Sequence, residues 1–333
     1  MSDPHEIPAP RSRLERVLEA GQFALAVEIS PPSGPNVGAL ERQIEMLRDQ
    51  ADAYNVTDNQ SAKVRASSLA ACIKLKQSGL EPVLQLTCRD RTRLGLQSDL
   101  IGASLFGINN VLALSGDHPA CGDHPHVRPA GDIDSINLVR MIRLMRDEQI
   151  FENGQTIPKR APHFFLGAVA NPFSPPWDYR PMRLAKKVAA GAQFIQTQLI
   201  FNLDRFREYM KRVVDLGLHE KVAILAGVAP VRSLRVANFM RDKIAGIDLP
   251  DEILARFQGL SKEDQEKAGI DLCCEISEQV RAIEGVRGLH IMAVGWPASV
   301  PGITRQLDLS PRPTLPPTEA AAESEPPPTS TVS

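Results

Sequence analysis

Acidic, amide and hydroxyl side chains follow short apolar runs at several places in this chain of 333 residues. The first is Glu28, and the prolines Pro31 and Pro32 soon after it must end a strand, because proline has no backbone N–H. A carboxyl group in a partly buried site can have its pKa raised until it serves as a general acid. Later apolar runs end on the polar residues Asn55, Thr57, Asp58, Gln85, Thr87, Ser115, Asp117, Asn171, Gln196 and Gln198. These groups suit acid–base chemistry and hydrogen bonding to a small molecule.

Other kinds of site lack the residues that they need. The loop after the fourth apolar run holds His118, Cys121, Asp123, His124 and His126, but its prolines favour solvated turn histidines over metal ligands. We therefore predict no bound metal. The sequence also has no Gly-x-Ser-x-Gly elbow, no Gly-x-Gly-x-x-Gly motif and no Walker A loop. A dinucleotide would have to be held in another way.

The elements that position these residues alternate between strands and helices. Eight short apolar and β-branched runs, typical of strands buried on both faces of a parallel sheet, cover residues 23–30, 53–58, 81–88, 109–116, 163–171, 194–201, 222–230 and 288–294. Most are separated by apolar residues at helical spacing, such as Leu40, Ile44 and Leu47. The repeated strand–helix unit predicts a closed (β/α)₈ TIM barrel, with an open, doubly wound sheet as the alternative.

The barrel is expected to form a single domain with short additions. Residues 1–20 are predicted to be an N-terminal extension, and residues 21–308 the barrel. Residues 309–333 are predicted to be a disordered, Pro-rich tail, because their Ala, Glu, Pro, Ser and Thr side chains cannot bury enough apolar area. A helix over residues 231–241 and a second short helix near Pro250 are expected between the last two strands.

Charge and composition favour a small-molecule partner. A formal net charge of −2 and a pI near 6.4 give no electrostatic footprint for nucleic acid or an anionic membrane. Residues 1–13 contain no apolar signal core, and no window approaches the length that spans a bilayer. The five cysteines form no Cys-x-x-Cys pair, which is typical of a reduced chain, and we expect the protein to be cytoplasmic.

The strand-end residues belong to an ordered series of motifs. The series is Glu28 with Pro31-Pro32, then Asn55-Val56-Thr57, Leu86-Thr87-Cys88, Leu112-Ala113-Leu114-Ser115-Gly116-Asp117, Lys187-Val188-Ala189-Ala190-Gly191-Ala192, Thr197-Gln198 and Gly227-Val228-Ala229-Pro230-Val231. It resembles the methylenetetrahydrofolate reductases over residues 23–301. The resemblance implies an FAD-containing barrel of one-carbon metabolism and methionine biosynthesis, which reduces 5,10-methylenetetrahydrofolate to 5-methyltetrahydrofolate by hydride transfer from reduced flavin. It implies as partners a folate and NADH, NADPH or an electron-donating subunit, and leaves a homo-oligomer open.

The resemblance also implies roles for single residues. Glu28 matches the general acid that opens the bridged folate, and Asp117 matches the aspartate beside flavin and pterin. Substrate contacts are expected from Gln198, Thr57 and Trp296. The expected FAD contacts are Thr57, Gln85, Ser115, Gly116, Asp117, Asp134, Ser135 and Lys187.

Structural roles are the alternative for several of these residues. Glu28 could form a salt bridge with Arg89 or Lys63, Asp134 could cap a helix, and Lys187 could be solvated. The basic run over residues 89–93 could meet a phosphate or a folate glutamate tail, or it could be a solvated helix start.

The chain departs from the family pattern at four positions. Gln85 and Ser115 replace a histidine and an arginine, Leu234 replaces a stacking phenylalanine, and Trp296 lies where the family has an arginine. The tryptophan could stack on a pterin or nicotinamide ring. These departures leave the electron donor open. Two other functions also remain: a pterin-binding methyltransferase that acts with a corrinoid protein, and a non-catalytic docking subunit.

Overall fold

The structure is a computed structural model in which residues 11–316 are described, and each of the first seven predicted apolar runs contains one of its strands. The run predicted over residues 288–294 overlaps the eighth strand, which begins earlier, at Val286. The strands are β1 (Ala24–Ile29), β2 (Ala53–Val56), β3 (Pro82–Thr87), β4 (Asn110–Leu114), β5 (Phe165–Ala170), β6 (Phe194–Leu199), β7 (Ala223–Val228) and β8 (Val286–Ile291). All neighbours are parallel, and β8 pairs with β1 to close the barrel. The predicted TIM barrel is therefore confirmed, and the open, doubly wound sheet is wrong.

Helices surround the barrel and connect its strands. They are α1 (Arg13–Glu19), α2 (Val37–Leu47), α3 (Ser68–Gln77), α4 (Arg93–Leu105), α5 (Ser135–Asp147), α6 (Tyr179–Ala190), α7 (Leu203–Asp215), α8 (Leu234–Lys243), α9 (Asp251–Ala255), α10 (Lys262–Arg281) and α11 (Val300–Gln306). The helix predicted over residues 231–241 begins later, because Ser233 caps α8 by accepting a hydrogen bond from the Val236 N–H. The short helix expected near Pro250 is α9. None of the helices within residues 11–316 is long and apolar enough to cross a membrane.

Apolar side chains fill the amino-terminal half of the barrel interior. Alternate strand residues point inward, and in this half they are Ala24, Ala26, Ala53, Val83, Leu112, Phe165, Phe194 and Leu225. The rings of Phe165 and Phe194 stack with 5.0 Å between their centroids. The Phe194 ring also occupies the place where a side chain at Gly167 would lie. The polar inward-facing residues are thereby confined largely to the carboxyl-terminal half.

Helix α1 covers the amino end of this interior. Its Leu14, Val17 and Leu18 are buried against the inward-facing side chains. Glu15 of the same helix bonds to His163 at 3.0 Å. Residues 13–19 of the predicted extension are therefore part of the folded barrel, and residues 1–10 lie outside the described residues.

The segment that follows α11 returns to the same end of the barrel. Arg312 donates to Asp52 Oδ2 at 2.6 Å, and the fully buried Asp52 carboxylate also accepts from the Leu25 N–H and from Arg13. Leu309 is buried in the core. The folded chain thus extends past the predicted boundary at Leu309, while residues 317–333 of the predicted tail lie outside the described residues.

Replacing Asp52 with alanine is expected to destabilise the fold strongly. The change removes the carboxylate that pairs with Arg13 and Arg312 and accepts from the Leu25 N–H, and breaking a buried ion pair from one side costs about 3–5 kcal/mol. The free energy of unfolding, measured by urea denaturation, should fall by that amount. Asp204→Ala is the control, because the Asp204–Arg207 pair is exposed and such pairs contribute under about 1 kcal/mol. Equal losses in the two variants would contradict the role given to Asp52.

Candidate functional site

A cavity of about 390 Å³ opens at the carboxyl ends of the strands, where barrels of this kind hold their ligands. Seven of the residues predicted for the site line it: Glu28, Gln85, Ser115, Gly116, Asp117, Lys187 and Gln198. They come from β1, β3, β6, α6 and the loop after β4. Closure of the barrel therefore brings together side chains that are far apart in the chain.

Glu28 lies near the end of β1, beside Asn55 of β2, and faces the cavity. Burial raises the pKa of its carboxyl group from 4.5 to about 7. Arg89, an alternative salt-bridge partner, is bonded to Asp90 instead. Within residues 11–316, Glu28 forms no ion pair, so desolvation of the carboxylate acts without a compensating charge. A carboxyl group that titrates near neutral pH can donate a proton under physiological conditions.

Two amides bridge the barrel below the cavity. Asn55 of β2 and Gln196 of β6 are buried and exchange hydrogen bonds of 2.5 Å, from Asn55 Nδ2, and 3.0 Å, from Gln196 Nε2. Strands β2 and β6 lie on opposite sides of the closed sheet. The amide pair therefore separates the polar cavity from the apolar half of the interior.

Two loops meet at the rim and hold Asp117. Its Oδ2 accepts a hydrogen bond from the Ser61 N–H at 2.9 Å. The loop that contributes Ser61 has left-handed backbone at Asn59, Ser61 and Ala62. Gly122, in the loop after β4, lies so close to Ala62 that a Cβ there would overlap the Ala62 carbonyl oxygen. The loop contact fixes Asp117 at the edge of the cavity.

Three cationic side chains of α6 line the side of the cavity opposite β1. Lys187 is buried, its Nζ donates to the Val169 carbonyl at 2.5 Å, and burial together with the nearby Arg183 lowers its pKa to about 8. Arg180 donates to two backbone carbonyls of the preceding loop, and burial and Arg183 lower its pKa as well. None of the three forms an ion pair in the described part of the chain. The cluster is therefore suited to bind an anion.

Three predicted flavin contacts lie behind the cavity lining. Thr57 is buried, and its Oγ1 donates at 2.8 Å to Gln60, which does line the cavity. Ser135 bonds to the lining residue Ser115, with 3.0 Å between their hydroxyl oxygens. Asp134 caps α5, the structural alternative for this residue. Thr57 and Ser135 thus support lining residues, and direct contacts of all three with a flavin stay predictions.

Trp296 lies after β8, outside the cavity lining. The Arg232 guanidinium is 5.6 Å from its ring centroid and is bonded to Glu266. The ring is partly exposed, so its stacking on a ligand stays a prediction.

The arginines of the basic run after β3 form ion pairs with acidic residues of the same chain. Arg91 pairs with Asp58 and Asp99, whereas Arg93 pairs with Asp132 and Glu152. These charges therefore hold the loops around the cavity.

Two histidines of the loop after β4 form hydrogen bonds within that loop. His118 Nδ1 accepts from the Ala120 N–H, and His124 bonds to Asp123. In residues 11–316, no group of three or more His, Cys, Asp or Glu side chains is arranged to hold a metal ion.

The sequence pattern did not reveal three residues that line the cavity, namely Arg180, Arg183 and His290. The two arginines share one helix face with Lys187, because positions three and four apart are neighbours on a helix. His290 lies inside the apolar run of β8, on the inward-facing side. The spacing of the arginines on α6 and the alternation of β8 are the signals that could have found them.

The raised pKa of Glu28 predicts a pH-dependent stability. Between about pH 4.5 and 7 the folded protein keeps a proton that the unfolded chain loses, so stability falls as pH rises through this range. Glu28→Gln should raise the free energy of unfolding by up to about 3 kcal/mol at pH 8, but by under about 1 kcal/mol at pH 5. Urea denaturation at both pH values measures this difference. Glu278→Gln, an exposed site on α10, is the control, and an equal effect of Glu28→Gln at both pH values would contradict the raised pKa.

Known proteins resemble this chain along most of its length. The family model for methylenetetrahydrofolate reductase matches residues 13–308. A Caenorhabditis elegans protein named probable methylenetetrahydrofolate reductase (NADPH) is 23% identical over 89% of this chain and 44% of its own length. The Arabidopsis thaliana methylenetetrahydrofolate reductase (NADH) 1 is 25% identical over 89% of this chain and 50% of its own length. The chain thus spans about half the length of these two relatives.

A bacterial relative and a solved structure match over most of their own lengths. The 5,10-methylenetetrahydrofolate reductase of Salmonella typhimurium is 24% identical, with 81% of this chain and 86% of that protein covered. An uncharacterised Clostridium thermocellum protein, described as binding two copies of 5-methyl-5,6,7,8-tetrahydrofolic acid, has a TM-score of 0.60 at 14% identity, covering 88% and 98% of the two chains. At that identity the likeness shows the barrel fold alone. Because the family model spans the whole barrel with its cavity, the chain belongs to the methylenetetrahydrofolate reductase family.

Proposed function

We propose that this protein reduces 5,10-methylenetetrahydrofolate to 5-methyltetrahydrofolate, with bound FAD as the hydride donor. The observation that carries the proposal is the Glu28 carboxyl group in the cavity, whose pKa burial raises to about 7. The reaction needs such an acid, because hydride adds to the methylene carbon only after a C–N bond of the bridged folate has opened. Family membership supports the choice of substrate.

Glu28 donates its proton to one nitrogen of the folate bridge. The O–H bond of the carboxyl group breaks as an N–H bond forms, and the electron pair of the opening C–N bond goes to the nitrogen. The methylene carbon, still bonded to the other nitrogen, becomes the cationic carbon of an iminium ion. Glu28 is left as a carboxylate and regains a proton from solvent. Since burial raises the pKa of Glu28 to about 7, a large share of the protein holds this proton at neutral pH when substrate binds.

Asp117 and Gln198 orient the pterin in this proposal. Asp117 Oδ2 is held by the Ser61 N–H, and its other carboxylate oxygen can accept from a ligand. The Gln198 amide donates to the Ala245 carbonyl at 3.1 Å and accepts from the Leu199 N–H at 2.9 Å. Its second N–H can donate to a ligand. Such fixed groups suit the alternating donors and acceptors of a pterin edge.

The cavity fits the flavin dinucleotide that the family implies in two respects. Gly116 lines the cavity with a φ of +81°, and because glycine has no side chain, its backbone can be approached by a flat ring. Lys187, Arg183 and Arg180 would hold the phosphate groups. When bound, the reduced flavin supplies the hydride.

The electron donor is proposed to be NADH, NADPH or a partner protein. The names of the relatives carry both nicotinamides, NADPH for the nematode protein and NADH for the plant protein. Anaerobic mixing of the FAD-loaded protein with each nicotinamide, followed by flavin absorbance, discriminates among the three. Bleaching by neither nicotinamide would support a partner protein.

We also propose a cytoplasmic location. The five cysteines are all free thiols, and four of them are buried. Free thiols persist where the surroundings are reducing, as in the cytoplasm.

Lys187→Ala is expected to weaken FAD binding by about tenfold or more, because it removes a buried cation from the proposed phosphate site. Quenching of FAD fluorescence on titration with protein measures the affinity. In the unchanged protein the affinity should also fall as pH rises above about 8, where Lys187 loses its proton. Lys186→Ala is the matched control, because the Lys186 Nζ is exposed and donates to the Tyr179 hydroxyl. Similar affinities for the two variants would argue against a phosphate site at α6.

Glu28→Gln is expected to slow reoxidation of the reduced flavin by methylenetetrahydrofolate by about 10²–10⁴-fold, since the proton donor is lost. Reduction of the flavin by its electron donor should change little. Stopped-flow absorbance separates the two steps. In the unchanged protein the folate-dependent rate should fall as pH rises through about 7, where Glu28 loses its proton.

Two results would overturn the proposal. The first is a Glu28→Gln variant that reoxidises at the rate of the unchanged protein. The second is purified protein that shows no flavin absorbance and, after FAD is added, no folate-dependent reoxidation. The first result would remove Glu28 as the proton donor, whereas the second would make a pterin-binding methyltransferase the better function, because methyl transfer to a corrinoid needs no flavin.

A further inference from the structure

His290 lies at the base of the cavity with both ring nitrogens unbonded. It is 3% exposed and lines the cavity, yet neither Nδ1 nor Nε2 has a hydrogen-bond partner among the described residues. Burial lowers the pKa of the ring to about 3, so the imidazole is neutral and carries one N–H and one acceptor nitrogen. Buried polar atoms in folded proteins are nearly always bonded. An unbonded pair inside a ligand cavity therefore points to a hydrogen bond that forms during function.

The strand register places His290 close to Glu28. His290 is paired with Ala26 of β1 on one side and with Gly227 of β7 on the other. Glu28 lies two residues beyond Ala26, on the same inward-facing side of β1. Ala26 and Gly227 bring no large side chain of their own to the positions beside His290.

Among the side chains next to Glu28 in the sheet, His290 has two ring nitrogens without a partner in the described part of the chain. Asn55, beside Glu28 on β2, is held by Gln196 through one N–H of its Nδ2 and through its Oδ1. Met292 follows the last paired residue of β8 and has no N–H or O–H group. His290 is one inward-facing position below Met292 and keeps a free N–H.

We propose that His290 is a positioning residue for Glu28, and that its neutral N–H donates, directly or through one bound water, to the carboxylate that remains after Glu28 has protonated the folate. The inference rests on the proposed function of Glu28. No proton passes to His290, since the proton from the Glu28 O–H goes to the folate nitrogen and the imidazole keeps its own. The hydrogen bond stabilises the charged product of the step and holds the carboxyl group in one orientation.

Other ionisable groups face the cavity from different elements. On the β2–β3 side, Asp58 is bonded to Arg91, and Arg89 is bonded to Asp90. After β4, Asp117 faces the cavity at the rim. On α6, opposite β1, are the cations Arg180, Arg183 and Lys187. Of these groups and His290, only His290 belongs to a strand that is a neighbour of β1.

The first test measures Glu28 itself in the substrate-free protein. The C=O stretching band of its carboxylic acid is followed by infrared spectroscopy as a function of pH and identified by its loss in Glu28→Gln. His290→Leu should raise the pH at which half of this band is lost, its titration midpoint, by about one pH unit, because the carboxylate loses its hydrogen-bond donor. His290→Gln, which keeps a neutral N–H, should restore most of the shift. An unchanged midpoint in His290→Leu overturns the inference, whether or not the protein proves to be a reductase.

The second test measures turnover. His290→Leu should lower kcat for methylenetetrahydrofolate about tenfold with little change in KM. It should also move the high-pH limb of the pH–rate profile to higher pH. His290→Gln should recover most of kcat. A change in KM alone would overturn the inference, because it would make His290 a folate contact instead. If His290→Leu does not fold, His290→Met replaces it as the variant without a donor.

A matched histidine serves as the control. His219 also has an unbonded ring nitrogen, Nδ1, but it precedes β7 at the amino end of the barrel. His219→Leu should leave the Glu28 band and kcat as they are. A shift of the band in this variant as large as in His290→Leu would show a general effect of the fold and would overturn the inference.

Discussion

The desolvation of one carboxyl group is the interaction on which the site depends. Burial raises the pKa of Glu28 to about 7, and within residues 11–316 no ion pair favours its charged form. A raised pKa requires that the barrel interior beneath Glu28 excludes water and that the neighbouring strands place no cation beside it. The stacked Phe165 and Phe194 rings and helix α1 fill the amino half of the interior, and the Asn55–Gln196 amide pair lies above them. The unfavourable free energy of burying the acid is therefore offset by packing far from the cavity.

The same requirement explains how charge is distributed around the cavity. Strands β1 and β5 lie on opposite sides of an eight-stranded closed sheet, and α6 follows β5. The cations of α6 are therefore as far from Glu28 as the barrel allows. If Lys187 were on a strand beside β1, its charge would lower the pKa of Glu28, and the acid would ionise before it could donate a proton. A ligand that crosses the mouth thus meets a proton donor at one end and positive charge at the other.

The sequence was a good guide where a single local pattern decides the outcome. Apolar runs located all eight strands, and their polar ends located Glu28, Gln85, Asp117 and Gln198, because side chains at the carboxyl ends of barrel strands face the same cavity. The ion-pair partners of charged side chains could not be predicted from such local patterns. The charges of Arg91 and Arg93 resemble an anion site in the sequence, yet acids from distant segments neutralise them. His290 was hidden because an apolar run predicts burial but does not show which of its residues faces the cavity.

Side-chain charges that remain unpaired after folding therefore indicate the charge of a ligand better than charged runs in the sequence do. Among the lining groups, Asp58 pairs with Arg91 and Arg89 pairs with Asp90, while the raised pKa of Glu28 leaves its carboxyl group only partly charged near pH 7. Asp117 then faces the three cations of α6, so the unpaired cations around the cavity outnumber the unpaired acids. Mutual repulsion within this cluster contributes to the lowered pKa of Lys187. A bound dianion such as a diphosphate would relieve the repulsion, raise that pKa again and balance the cavity, so the free protein is electrostatically prepared for such a ligand.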